Sequence, residues 1–218
     1  MNASPPEPGA PPARHGWPAR AVGRIGLLGG SFNPAHDGHV HVSLMALRRL
    51  RLDAVWWLVS PQNPLKPADG MADLETRMAA ARSVASHPRI HVTDAEHRLG
   101  TRYTIDTLAT LVARCPRARF VWLMGADNMI QIPRWAHWER IFRTCPIAVL
   151  ARPSYSLRAM TGKAAQRFDA HRVRPERAPA LPDMKPPAWT FIPIPLHPAS
   201  ATAIRRGSTG RPAPHGGR

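Results

Sequence analysis

Five short apolar runs alternate along this chain with stretches of helical spacing, and that alternation restricts the fold more than any other feature. The runs are VGRIGLLGG (22–30), DAVWWLVSP (53–61), RIHVTD (89–94), ARFVWLMGAD (118–127) and PIAVLAR (146–152). Between the first two, from His36 to about Leu50, Val40, Leu44, Leu47 and Leu50 make one helical face. Helical periodicity also runs through residues 72–87, stopping before Pro88, through Tyr103 to Arg114, and around HWERIFR (137–143). Strands and helices alternating at this pitch predict right-handed βαβ crossovers, hence an α/β domain with a parallel sheet and helices on both faces. No internal repeat is present, and residues 152–187, rich in Pro and Arg, show no assignable period. A chain of 218 residues can bury ~70% of its unfolded surface without a disulfide or metal staple. Residues 1–22, rich in Pro and Ala, are expected to form a disordered leader, 23–206 the domain and 207–218 a disordered tail.

In parallel sheets ligands sit beyond the carboxyl ends of the strands. The chemically informative segments fall there: GGSFNPAH after the first run, SPQNPLKP after the second and GADNMIQIPRW after the fourth. Gly29 and Gly30 let backbone approach a ligand, since no Cβ intervenes. Pro34 lies just ahead of a helix whose first-turn N–H groups form an anion site. His36 and His39, three apart, share a face beside that terminus and could donate to phosphate oxygens. Two other readings stay open on spacing alone: one core and one solvated histidine, or a metal pair, although no third ligand stands at suitable spacing. The loop is neither a Walker A loop nor a GxGxxG fingerprint.

The formal charge of +16 permits either a nucleic-acid partner or a polyanionic small substrate. Arginine outnumbers lysine, and Ala and Pro are abundant, a bias that a GC-rich genome also produces. Several of the seven tryptophans lie in apolar runs such as VWWLV and FVWLM, which argues against a surface where aromatics interleave with Arg and Lys to stack bases. Cys115 and Cys145 lie far apart with no metal-ligand spacing, as suits a reducing compartment. No apolar run approaches ~20 residues, and the first 20 residues lack a signal-peptide core, so a soluble cytoplasmic protein is expected.

GGSFNPAHDGH resembles the signature of the nucleotidyltransferase superfamily with the HxGH motif. From about Ile25 to Arg205 the chain resembles bacterial nicotinate-nucleotide adenylyltransferases, matching in order SPQNPLKP, GTRYTIDTL, GADNMIQIPRW and ASATAIRR. The resemblance implies a Rossmann-like domain that transfers AMP from ATP to nicotinate mononucleotide, with Mg2+ accompanying ATP. It places His36, His39, Ser200, Thr202 and Arg205 on the ATP phosphates, with His36, His39 and Arg205 catalytic. Asp127 would hold ribose hydroxyls, and backbone near Gly30, Ser31 and Phe32 would line the nucleotide. Tyr103, Thr104 and Trp135 would read the nicotinate, Asn63 and Lys66 would meet the mononucleotide phosphate, and Arg152 would sit near substrate. No protein metal ligand is implied, and no nucleic-acid or membrane partner. An oligomer is compatible with the resemblance. Two departures from the family pattern stand out: Ala199 replaces the usual Ile before Ser200, and nothing helical follows Arg205. Alternatives are an adenylyltransferase for nicotinamide mononucleotide or another phosphate acceptor such as phosphopantetheine and, in a different class, a basic nucleic-acid-binding protein.

Overall fold

The computed structural model describes residues 21–61, 71–151 and 155–195. Strand β1 (Gly23–Gly30) leads into helix α1 (Asp37–Arg49), β2 (Ala54–Val59), α2 (Leu74–Val84) and β3 (Ile90–Thr93). The short α3 (Ala95–Leu99) and the longer α4 (Thr104–Arg114) follow, then β4 (Ala118–Gly125), α5 (Ala126–Gln131), α6 (Trp138–Thr144) and β5 (Ile147–Leu150). Helices α7 (Ser156–Thr161) and α8 (Lys163–Arg167) precede β6 (Arg172–Val173), a 3₁₀ segment over Pro175–Asp183, and β7 (Trp189–Ile192).

All strand pairs are parallel, in the order β3-β2-β1-β4-β5-β7-β6. Because both faces are covered, the strands are near-continuous apolar runs instead of alternating ones. Ile25, Leu27, Trp56, Leu58 and Trp122 face one core, with Ile105, Leu108 and Leu111 of α4 and Phe142 of α6. Leu28, Val55, Trp57 and Leu123 face the other, with Val42, Ala46 and Leu47 of α1 and Met78 and Ala81 of α2. Each large apolar side chain fully buried in this way contributes about 1.5–3 kcal/mol. Asp183, at the end of the 3₁₀ segment, pairs with both Arg24 of β1 and Arg119 of β4, tying that segment to the sheet. Among the described residues no helix is long and apolar enough to cross a membrane.

From β1 the chain winds outward through β2 to β3, then returns to β4 and winds the other way. The carboxyl ends of β1 and β4 therefore flank a topological switch point, the crevice where such sheets bind ligands. Gly29 serves this arrangement differently from the sequence expectation: a methyl there would overlap the Trp122 indole. Its missing side chain makes room for the core, one strand away, and not for a ligand. Ala21, expected within the leader, is already packed into the core beneath β1.

Candidate active site

His36 stands at the N-cap of α1 with extended backbone, φ −158° and ψ 167°. Its Nδ1 accepts from the Gly38 N–H at 3.1 Å, and His39 Nδ1 accepts from the His36 N–H at 3.2 Å. The two imidazoles thus form a reciprocal capping box, their rings 3.9 Å apart. A neutral imidazole that accepts at Nδ1 carries its proton on Nε2, so each ring keeps Nε2–H as its donor. Asp37 in the first turn of α1, with Arg48 and Arg49 in the last, complements the helix dipole.

What holds the pair is a stack beneath it. Phe32 is 2% exposed, its ring 4.7 Å from that of His39 and stacked on Trp57 at 5.0 Å. The Trp57 indole N–H donates to Ser43 Oγ at 2.8 Å, and the Ser43 hydroxyl donates to the His39 carbonyl at 2.8 Å. Phe32 has φ +46°, a left-handed conformation that costs an aromatic residue about 1–3 kcal/mol. That conformation accompanies a ring turned inward against His39 and Trp57.

Asp127 is the second residue of α5, directly beyond β4, the strand that pairs with β1 at the switch point. Tyr103 occupies the N-cap position of α4, 39% exposed, with Arg102 over its ring, and Thr104 opens that helix. Trp135 is half-buried and meets Trp122 edge-on at 6.5 Å, so part of its ring is committed to the core. On α1, His41 Nε2–H donates to the carbonyl of Pro195 at 2.7 Å, joining the helix that carries the imidazoles to the stretch ahead of Ser200. Asn63, Lys66, Arg152, Ser200, Thr202 and Arg205 lie outside the described residues.

Two buried ionisable groups beside these loops were not singled out from sequence. Arg77 of α2, 2% exposed, donates to the carbonyls of Ser31, Ser60, Pro61 and Ala72. Its signal was a cation on the apolar stripe of α2, between Leu74 and Ala81. Glu96 of α3 is 9% exposed; burial pushes its carboxyl up to about 7, against the opposing hydrogen bond from Ser60. A helix of five residues offers no period by which that burial could be read.

Residues 27–207 match the model of the cytidylyltransferase-like family. A protein of Parvibaculum lavamentivorans named "Probable nicotinate-nucleotide adenylyltransferase" is 55% identical over 84% of this chain and 90% of its own length. A protein of the same name from Cereibacter sphaeroides is 56% identical over 86% of this chain and 98% of its own. The fold is also that of the Plasmodium falciparum nicotinic acid mononucleotide adenylyltransferase solved with APC (TM-score 0.63, 16% identity, 84% of this chain and 83% of that one). The same enzyme solved with NaAD aligns at a TM-score of 0.62 and 17% identity, over 84% and 82%. The chain belongs to the cytidylyltransferase-like nucleotidyltransferases and, within them, to the nicotinate-nucleotide adenylyltransferase family.

Proposed function

We propose that this protein transfers AMP from ATP to nicotinate mononucleotide, giving nicotinate adenine dinucleotide and pyrophosphate. The observation that carries the reading is the His36–His39 pair, rings 3.9 Å apart on the first turn of α1 at the switch point between β1 and β4. Relatives more than half identical carry the name of this activity, and the Plasmodium neighbour was solved with the dinucleotide NaAD.

A phosphate oxygen of the mononucleotide attacks the α-phosphorus of ATP, the bond from that phosphorus to the bridging oxygen breaks, and pyrophosphate leaves. The nucleophile is already an anion, so no covalent intermediate and no general base are required. The chain's task is alignment and stabilisation of charge on the phosphate oxygens. His36 and His39 meet that charge with Nε2–H donors already oriented by their capping bonds, and Ser200, Thr202 and Arg205 grip the β- and γ-phosphates. Asp127 holds the ribose.

A Mg2+ accompanying ATP would be held mainly by substrate and water instead of by a protein cage. When bound, it neutralises phosphate charge. Main-chain N–H groups at the start of α4, by Tyr103 and Thr104, and around Trp135 read the nicotinate carboxylate, while an aromatic face stacks on the pyridine. Asn63 and Lys66 meet the acceptor phosphate, and Arg152 serves near substrate. Such donors reject the amide, whose NH2 would face N–H groups with no acceptor between them.

An α-phosphorothioate of ATP with a chiral, isotopically marked α-phosphorus tests the chemistry. The marked phosphorus should appear in the dinucleotide with inverted configuration; retention would require a covalent intermediate and contradict direct transfer.

A further inference from the structure

A guanidinium buried as deeply as that of Arg77 usually has a carboxylate against it. Here four main-chain carbonyls take its protons, while the Asp73 carboxylate acts on it only through its charge. Nε donates to Ala72 at 2.8 Å, Nη1 to Ser31 at 2.8 Å and to Ser60 at 2.6 Å, and Nη2 to Pro61 at 2.9 Å. Those carbonyls belong to three segments: the loop after β1, the loop after β2, and the approach to α2. Ser60 is bound on its other sides too, its N–H to the Gly30 carbonyl at 2.9 Å and its hydroxyl to Glu96. From Glu96 the connection continues: its carbonyl accepts the Thr101 N–H at 3.1 Å, and the Thr101 hydroxyl meets that of Thr107 in α4 at 2.7 Å. Asn33 joins the same bracket, its side-chain oxygen accepting the Ala72 N–H at 3.4 Å.

We infer that Arg77 is a positioning residue that sets the spacing between the histidine-bearing loop after β1 and the loop after β2, and so aligns the two substrates. The inference rests on the proposed reading, in which the first loop meets ATP and the second receives the mononucleotide. Only a planar fork with five N–H donors can serve carbonyls in several directions at once; a lysine in its place keeps the charge and loses the fork. Each loop still has its own anchor without Arg77: the capping box for the first, Gly30 and Glu96 for the second. Loss of the clamp therefore leaves each substrate its contacts and removes their mutual alignment, which lowers turnover and spares binding.

The test is steady-state kinetics of the full chain carrying Arg77→Lys or Arg77→Gln, with thermal unfolding alongside. Expected is a fall in kcat of about a hundredfold in both variants, with KM for ATP and for the mononucleotide each within about threefold of wild type. Wild-type kcat in a folded Arg77→Lys variant overturns the inference, as does a loss carried by KM alone. If neither variant folds, amide hydrogen exchange on the wild-type chain decides. A non-hydrolysable ATP analogue alone should slow exchange at Ser60 and Ala72, on the far side of the clamp, whereas protection confined to residues 31–39 overturns it. Absence of pyrophosphate release by the wild type sinks the AMP-transfer reading instead, and the exchange measurement still decides for Arg77.

Discussion

Histidine is a poor choice for a helix N-cap, where Ser, Thr, Asp and Asn serve better, and Glu or Gln normally closes a capping box. His36 and His39 fill both positions. A local rule broken twice within four residues, over a strained and buried Phe32, marks a place where stability yields to chemistry. The two needs can be separated by giving position 39 the residue a capping box prefers. In His39→Gln the box is kept and unfolding stability should stay within about 1 kcal/mol of wild type. Turnover should fall by about a hundredfold or more, as when one charge-stabilising donor is removed. Calorimetric melting and pyrophosphate release read the two quantities. Full activity in the variant would remove His39 from the mechanism.

Elements with a full helical period were legible in the sequence, and those too short to show one were not. Helix α4 runs over Thr104–Arg114 as the spacing of Ile105, Leu108 and Leu111 requires. Helix α2 ends at Val84, four residues short of the proline expected to stop it, because Ala85 already leaves helical backbone at ψ 62°. GADNMIQIPRW, read as a segment beyond the fourth strand, folds into α5 and a 3₁₀ turn. A 3₁₀ segment containing Pro179 and Pro182 lies in the stretch with no period, and the four-residue β7 follows just beyond that stretch. Helix α3 is the costliest of these omissions, since it carries Glu96. That carboxyl titrates near 7 in the folded protein and near its ordinary 4.5 when unfolded. Between those values the folded state holds more protons, so stability falls as pH rises from about 4.5 to 7 and levels off above, by about 3 kcal/mol in all. Glu96→Gln should flatten that part of the profile in chemical denaturation across the range, while an unchanged slope would assign it to other groups.

For the molecule as a whole, the parallel sheet and the carboxyl-edge location of the informative loops could be read from the alternation of runs. Strand order could not, because no local signal says that the chain returns past β1 to place β4 beside it. That return makes the switch point and brings Asp127, just beyond β4, to the edge where β1 ends. Buried anchors also escaped: the clamp of Arg77 and the Ser60–Glu96 bond join residues 17 and 36 positions apart, and only the folded sheet brings them together. Gly29 was legible as a special position but not for the right reason, since the group it accommodates is a tryptophan of the neighbouring strand. The central claim is that this edge joins AMP to an acid-bearing mononucleotide. Pyrophosphate release from Mg-ATP, measured with nicotinate mononucleotide beside nicotinamide mononucleotide, tests it directly. The acid should be favoured in kcat/KM by roughly a hundredfold or more. Equal rates with the two acceptors would contradict the carboxylate-reading pocket, and release with neither would contradict the reaction itself.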